Sequence, residues 1–147
     1  QFLEQNKVDS ILSHSLGAFS TMYLLSNYPL LSPPKVIALG TPSYADSFID
    51  EFIRVLNLSS KARRNLVTYF TNYSGLKTND FDSKLFAKNQ KSFGLIVHDI
   101  NDKEAPFEYA KEMAKIWPKS RFLGTKGFGH KLRDDSVVQE VIKFIDH

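Results

Sequence analysis

Ser13-His14-Ser15-Leu16-Gly17 sets a hydroxyl nucleophile between an apolar run, Val8 to Leu12, and a helix-forming run, Ala18 to Asn27. A serine at a sharp strand-to-helix turn, flanked by small residues that let the turn close, is pushed out to meet a substrate. Such a hydroxyl needs a base to take its proton and an acid to orient that base. Val97-His98-Asp99-Ile100-Asn101-Asp102 puts Asp102 in the loop just past a buried strand. Gly127-Phe128-Gly129-His130 puts His130 in a Gly-rich loop, again after a strand. Side chains that do chemistry in open α/β sheets gather at the carboxyl ends of the strands. Ser15, Asp102 and His130 are therefore the expected catalytic residues, with nucleophilic acyl transfer as the chemistry.

Each also has a plainer reading. Ser15 alone fits a helix cap, Asp102 fits a turn cap with Asn101, and His130 fits a surface histidine. Asp99 competes for the acid role, but it lies nearer the strand end, and the loop apex suits an orienting acid. Order and placement together favour the catalytic reading. His14 is expected to pack or hydrogen-bond at the turn, His98 to be held by a backbone contact, and His147 is terminal. No His/Asp/Glu set has metal-ligand spacing, so neither metal nor cofactor is expected. Gly124-Thr125-Lys126-Gly127 lacks the phosphate-loop pattern.

The elements that must position these groups follow from apolar runs and their punctuation. Residues 8 to 14, Lys35 to Gly40, Phe93 to Val97 and Arg121 to Gly124 read as strands. Leu16 to Asn27, Pro106 to Trp117 (with Pro at its first position) and Asp135 to Asp146 read as helices, and Gln1 to Asn6 as a helix tail. Strand–helix alternation implies crossovers and a parallel sheet covered on both faces. Residues 44 to 90 break that rhythm. Phe48, Ile49, Phe52, Ile53, Val55 and Leu56 recur at helical spacing, Ser59-Ser60 caps a second helix through Tyr73, and Asp82 to Ala87 is a short third. The chain thus divides into a core, 1–43 and 91–147, and a helical cap insertion, 44–90. The insertion's aromatics (Phe48, Phe52, Tyr69, Phe70, Tyr73, Phe81, Phe86) fit a satellite core or a roof over the site.

At 147 residues, 42% apolar and 24% charged, the chain has the composition of one globular domain. A net charge of +3, scattered along the chain, gives no nucleic-acid footprint. The densest basic cluster, Lys61-Ala62-Arg63-Arg64, reads as a solvated helix start. The absence of cysteine excludes disulfides and thiolate metal sites. No apolar stretch approaches the ~20 residues of a membrane span.

The chain resembles the C-terminal portion of the α/β-hydrolase superfamily over nearly its whole length. The resemblance rests on Ser13-His14-Ser15-Leu16-Gly17, on His98-Asp99-Ile100-Asn101-Asp102 with Ala105-Pro106, and on Gly127-Phe128-Gly129-His130. The chain order Ser, Asp, His is that of the family. Trp117-Pro118 and Leu132-Arg133-Asp134 resemble a bacterial subgroup of esterase- and lipase-like hydrolases with a short helical cap. The resemblance implies a serine hydrolase of the carboxylesterase type. Ser15 attacks the carbonyl of a small-molecule ester, His130 moves the proton, Asp102 holds the imidazole, and the Leu16 backbone N–H supplies half the oxyanion hole.

Ser13 stands where the family usually has glycine. The family's early strands and second oxyanion donor would lie before Gln1, so N-terminal strands are expected to be missing from this chain. Feeble activity of this form and self-association or domain swapping are the corresponding expectations. A cytoplasmic location is expected. The competing reading is a catalytically weak or inactive binding module of the same fold for a small apolar ligand.

Overall fold

A computed structural model describes residues 2–147. Four strands, β1 (Ser10–His14), β2 (Lys35–Leu39), β3 (Phe93–Asp99) and β4 (Ser120–Thr125), form one sheet in the order β1-β2-β3-β4. All three pairings are parallel, with His14 opposite Leu39, Leu39 opposite Val97, and Asp99 opposite Thr125. Every strand therefore ends at the same edge, and a loop leaving any of them starts beside the others.

The central strands are apolar because both their faces are covered. Val36 and Ala38 of β2 point to one face and Ile37 to the other, as the two-residue strand period requires. On the first face lie α2 (Leu16–Asn27), α5 (Ser83–Lys88) and α6 (Phe107–Ile116), which bring Ala18, Met22, Leu25, Phe86 and Met113, with Trp117 just past α6, against Val36, Ala38 and Ile96. On the second face α7 (Asp135–Asp146) brings Val137, Val141 and Phe144 against Ile37, Leu95 and Val97. Full burial of a side chain such as Met22 or Ile37 contributes roughly 1.5–3 kcal/mol. At Gly94 of β3 the fit admits no side chain, since a Cβ would lie 2.6 Å from Trp117 Cε2. The Trp117 indole N–H is fixed above it by donating to the Ser92 carbonyl at 3.0 Å.

A short helix, α1 (Phe2–Gln5), precedes β1; Gln1, expected to belong to that helix, lies outside the described residues. Between β2 and β3 run α3 (Ala45–Val55), α4 (Ser60–Ser74) and α5, with no strand among the described residues there beyond an isolated bridge between Tyr44 and Asp82. Ser59 caps α4 by accepting from the Ala62 N–H, and Gly75, at φ 71°, closes it in the left-handed conformation glycine tolerates. Arg63, within the basic cluster, ties α4 to α3 by donating to Asp50 at 2.6 Å and Asp46 at 2.9 Å. The aromatics of residues 44–90 divide. Phe86 is buried in the main core with Phe48 and Phe81 packed on it, whereas Tyr69 and Tyr73 stack on each other in solvent.

Several boundaries differ from the sequence reading by a residue or two, and two of them bear on the site. β3 runs on to Asp99, because His98 and Asp99 still pair with Gly124 and Thr125. Pro106 caps α6 from outside instead of opening it, its ψ of 122° being extended. Among the described residues no helix is long and apolar enough to cross a membrane.

Candidate active site

Ser15 sits between the last residue of β1 and the first of α2, with φ 52° and ψ −125°. Few side-chain-bearing residues adopt positive φ, and the Ser15 hydroxyl bonds to His130 rather than to the helix. Ser15 makes no side-chain cap to α2, which removes the helix-cap reading. Its N–H donates to the Leu39 carbonyl at 2.8 Å, pinning the turn to the end of β2. Ser13 fits because its hydroxyl turns sideways to the Ile37 carbonyl at 3.3 Å. Leu16, first residue of α2, has its N–H among those that a helix start leaves without an intrahelical acceptor.

Asp102 lies three residues past β3 and His130 five past β4. The histidine loop must cross from the β4 border of the sheet to the β1 border. Gly40, at φ +55°, makes room for the crossing: a Cβ there would come within 3.3 Å of the His130 carbonyl oxygen and 3.4 Å of its ring. His14 holds the same loop from below, its Nε2 donating to the His130 carbonyl at 2.8 Å, with the two rings 5.0 Å apart.

These constraints bring the three residues together. His130 Nδ1 lies 2.8 Å from Asp102 Oδ2, and His130 Nε2 lies 2.8 Å from Ser15 Oγ. A carboxylate only accepts, so Nδ1 carries the proton and Nε2 is left to accept from the serine hydroxyl. Asp102 also does what its plainer reading foresaw, since Oδ1 accepts from the N–H groups of Glu104 and Ala105 at 2.8 and 2.9 Å. Burial alone would push its carboxyl up. Hydrogen bonds from His98, His130 and the two N–H groups outweigh burial and hold it well below the ordinary carboxylate range.

Two neighbours, His98 and Glu104, were not legible as site residues in the sequence, and a third, Asp99, takes a part other than the acid role weighed for it. His98 is fully buried and donates from Nε2 to the Ala105 carbonyl at 2.9 Å, the expected backbone contact, but the same nitrogen is 3.3 Å from Asp102 Oδ2. Glu104, largely exposed, has a carboxylate oxygen 3.6 Å from His130 Nε2. Asp99, the rival acid, faces away from the imidazole and is bonded instead to Thr125, Gly127 and Phe128. The only advance sign of these roles was polar residues closing an apolar strand run.

Beside Ser15 and His130 opens a cavity of about 80 Å³, completed by Pro42, Ser47, Phe48, Glu51 and Glu104. At ~30 Å³ per water it holds a group of a few heavy atoms. Of the aromatics of residues 44–90 only Phe48 lines it. A larger cavity of about 380 Å³ lies at the amino ends of β1 and β2, a strand's length from Ser15.

No protein-family model matches the sequence, and no curated protein is significantly similar to it. Solved structures do resemble the fold. A serine hydrolase involved in carbazole degradation (CarC) superposes with a TM-score of 0.66 at 15% identity, over 99% of this chain and 67% of that one. The α/β-hydrolase MGS-MChE2, from the metagenome of lagoon sediments of Mar Chica, Morocco, gives 0.66 at 17% identity over 98% and 65%. The esterase RhEst1 from Rhodococcus sp. ECU1013 gives 0.61 at 16% identity over 93% and 64%. The chain has the α/β-hydrolase fold, and it spans about two thirds of the length of the structures it matches.

Proposed function

We propose that the protein is a serine hydrolase that cleaves carboxylic esters through Ser15, His130 and Asp102, with residues 44–90 as a cap over the site. The observation that carries this reading is the continuous relay Asp102–His130–Ser15, two contacts of 2.8 Å ending on a serine held at positive φ. A histidine pinned at Nδ1 by a buried carboxylate presents a basic Nε2 to the strained hydroxyl, its nearest partner at 2.8 Å, with the exposed Glu104 carboxylate farther off at 3.6 Å.

Ser15 Oγ forms a bond to the substrate's carbonyl carbon while His130 Nε2 takes the hydroxyl proton. The carbonyl π pair moves onto oxygen, where the Leu16 N–H at the start of α2 offers one donor. Collapse expels the alcohol, which leaves with the proton from Nε2. Water, deprotonated by the same nitrogen, then releases the acid and restores Ser15. Asp102 stays ionised throughout and stabilises the imidazolium. The small cavity beside Ser15 fits a short acyl group.

Turnover of a p-nitrophenyl acetate series and labelling by a fluorophosphonate probe test this reading in wild type and Ser15→Ala. Loss of turnover by roughly 10⁶-fold, with loss of labelling, is expected. Unchanged hydrolysis in a folded Ser15→Ala protein overturns it.

A further inference from the structure

Asp99 is a second buried carboxylate at this edge, and the relay does not use it. It is the last residue of β3 and has no solvent exposure. Oδ1 accepts from the Asn101 N–H at 2.8 Å and the Gly127 N–H at 3.3 Å. Oδ2 accepts from the Thr125 hydroxyl at 2.8 Å and the Phe128 N–H at 3.0 Å. The Asn101 bond shapes the turn that carries Asp102. The other three fix the end of β4 and the loop that carries His130. A buried carboxylate with both oxygens filled by four donors is costly to remove and geometrically exacting.

Resting on the serine-hydrolase reading above, we propose that Asp99 is a positioning residue: one carboxylate that fastens the acid loop to the histidine loop and so sets the Asp102–His130 contact. Its hydrogen bonds go to the backbone N–H groups of Asn101, Gly127 and Phe128 and to the Thr125 hydroxyl, and none goes to Ser15 or the imidazole. The loop needs such a fastening because Gly127 and Gly129, both at positive φ, leave the backbone between β4 and His130 loosely determined by itself. Asparagine in place of Asp99 keeps the shape, but its Nδ2 faces the Phe128 N–H in one orientation and the Asn101 and Gly127 N–H groups in the other, donors that need an acceptor. The expected result is a displaced loop and an intact fold.

The test uses the whole protein and compares Asp99→Asn, Thr125→Val and Thr125→Ser. Asp99→Asn should lower kcat on the order of 10²-fold with KM little changed, the effect of displacing a reacting group by about an ångström. Thr125→Val should move kcat in the same direction by less, and Thr125→Ser, which restores the hydroxyl, should return it. A low-field proton resonance from His130 Nδ1–H, absent in His130→Ala, reports the Asp102 contact without reference to turnover; it should shift or broaden in Asp99→Asn. A folded Asp99→Asn protein with wild-type kcat and an unmoved resonance overturns the proposal. Should Asp99→Asn fail to fold, the threonine pair decides: equal kcat and an equal resonance in Thr125→Val and Thr125→Ser overturn it. If wild type hydrolyses nothing yet the resonance responds as described, the serine-hydrolase reading has failed and the fastening has not.

Discussion

His98 and Asp102 form a fully buried pair, Nε2 standing 3.3 Å from Oδ2, the oxygen that also receives the Nδ1–H of His130. One carboxylate oxygen thus lies between two imidazoles, and its partner oxygen is filled by two backbone N–H groups. Rotation of this carboxylate would break the His130 bond and both backbone N–H bonds together, which holds the acid against the histidine.

Replacement of Asp102 by asparagine should leave the fold intact and lower kcat by about 10⁴-fold. The amide offers Nδ2 or a weaker acceptor to His130, favouring the tautomer that puts a proton on Nε2 facing Ser15. Steady-state kinetics beside circular dichroism measure this. A loss under tenfold would mean that the carboxylate does not orient the base.

Acid should weaken the fold through Asp99. Burial raises its carboxyl, but the Phe128 N–H, the Thr125 hydroxyl and the Asn101 N–H more than reverse this and hold it below the ordinary value. The unfolded chain then binds the proton first as pH falls, so the contribution is complete above about pH 4 and disappears below it. Denaturant titrations of wild type and Asp99→Asn should show a stability gap that is constant at neutral pH and closes in acid. A gap independent of pH down to the acid limit would contradict this.

Gly94→Ala should destabilise by roughly 1–3 kcal/mol, the usual result of overpacking. The added methyl would meet the Trp117 ring at 2.6 Å, and the ring cannot move without losing its bond to Ser92. Trp117 is the only tryptophan, so its fluorescence follows both the local shift and the unfolding midpoint. A midpoint equal to wild type would show that the ring has room to move.

Most of the framework was legible because the chain is well punctuated. Leu16 to Asn27 and Asp135 to Asp146 appear with the expected limits, since Ser15 and Asp134 precede them and Tyr28-Pro29 ends the first. Strand ends were harder, since His98 and Asp99 look like loop residues until burial of β3 on both faces explains them. The trio at the site could be gathered from strand order alone. The supports could not: that Asp99 would bond Thr125, Gly127 and Phe128, and that His98 would reach Asp102, depends on how two loops pack, and spacing does not encode that. The roles of the aromatics of residues 44–90 were equally hidden, because helical periodicity marks a face without saying what it meets, as Phe48 and Tyr73 illustrate.

Ser15 and His130 belong to opposite borders of the sheet, so their contact spans every strand-to-strand step between them. A single slipped pairing anywhere along the way would part donor from acceptor by a residue's rise, about 3.3 Å. On the proposed reading, hydrolytic competence would then be a property of the complete register. During refolding it should return only after the last strand has docked.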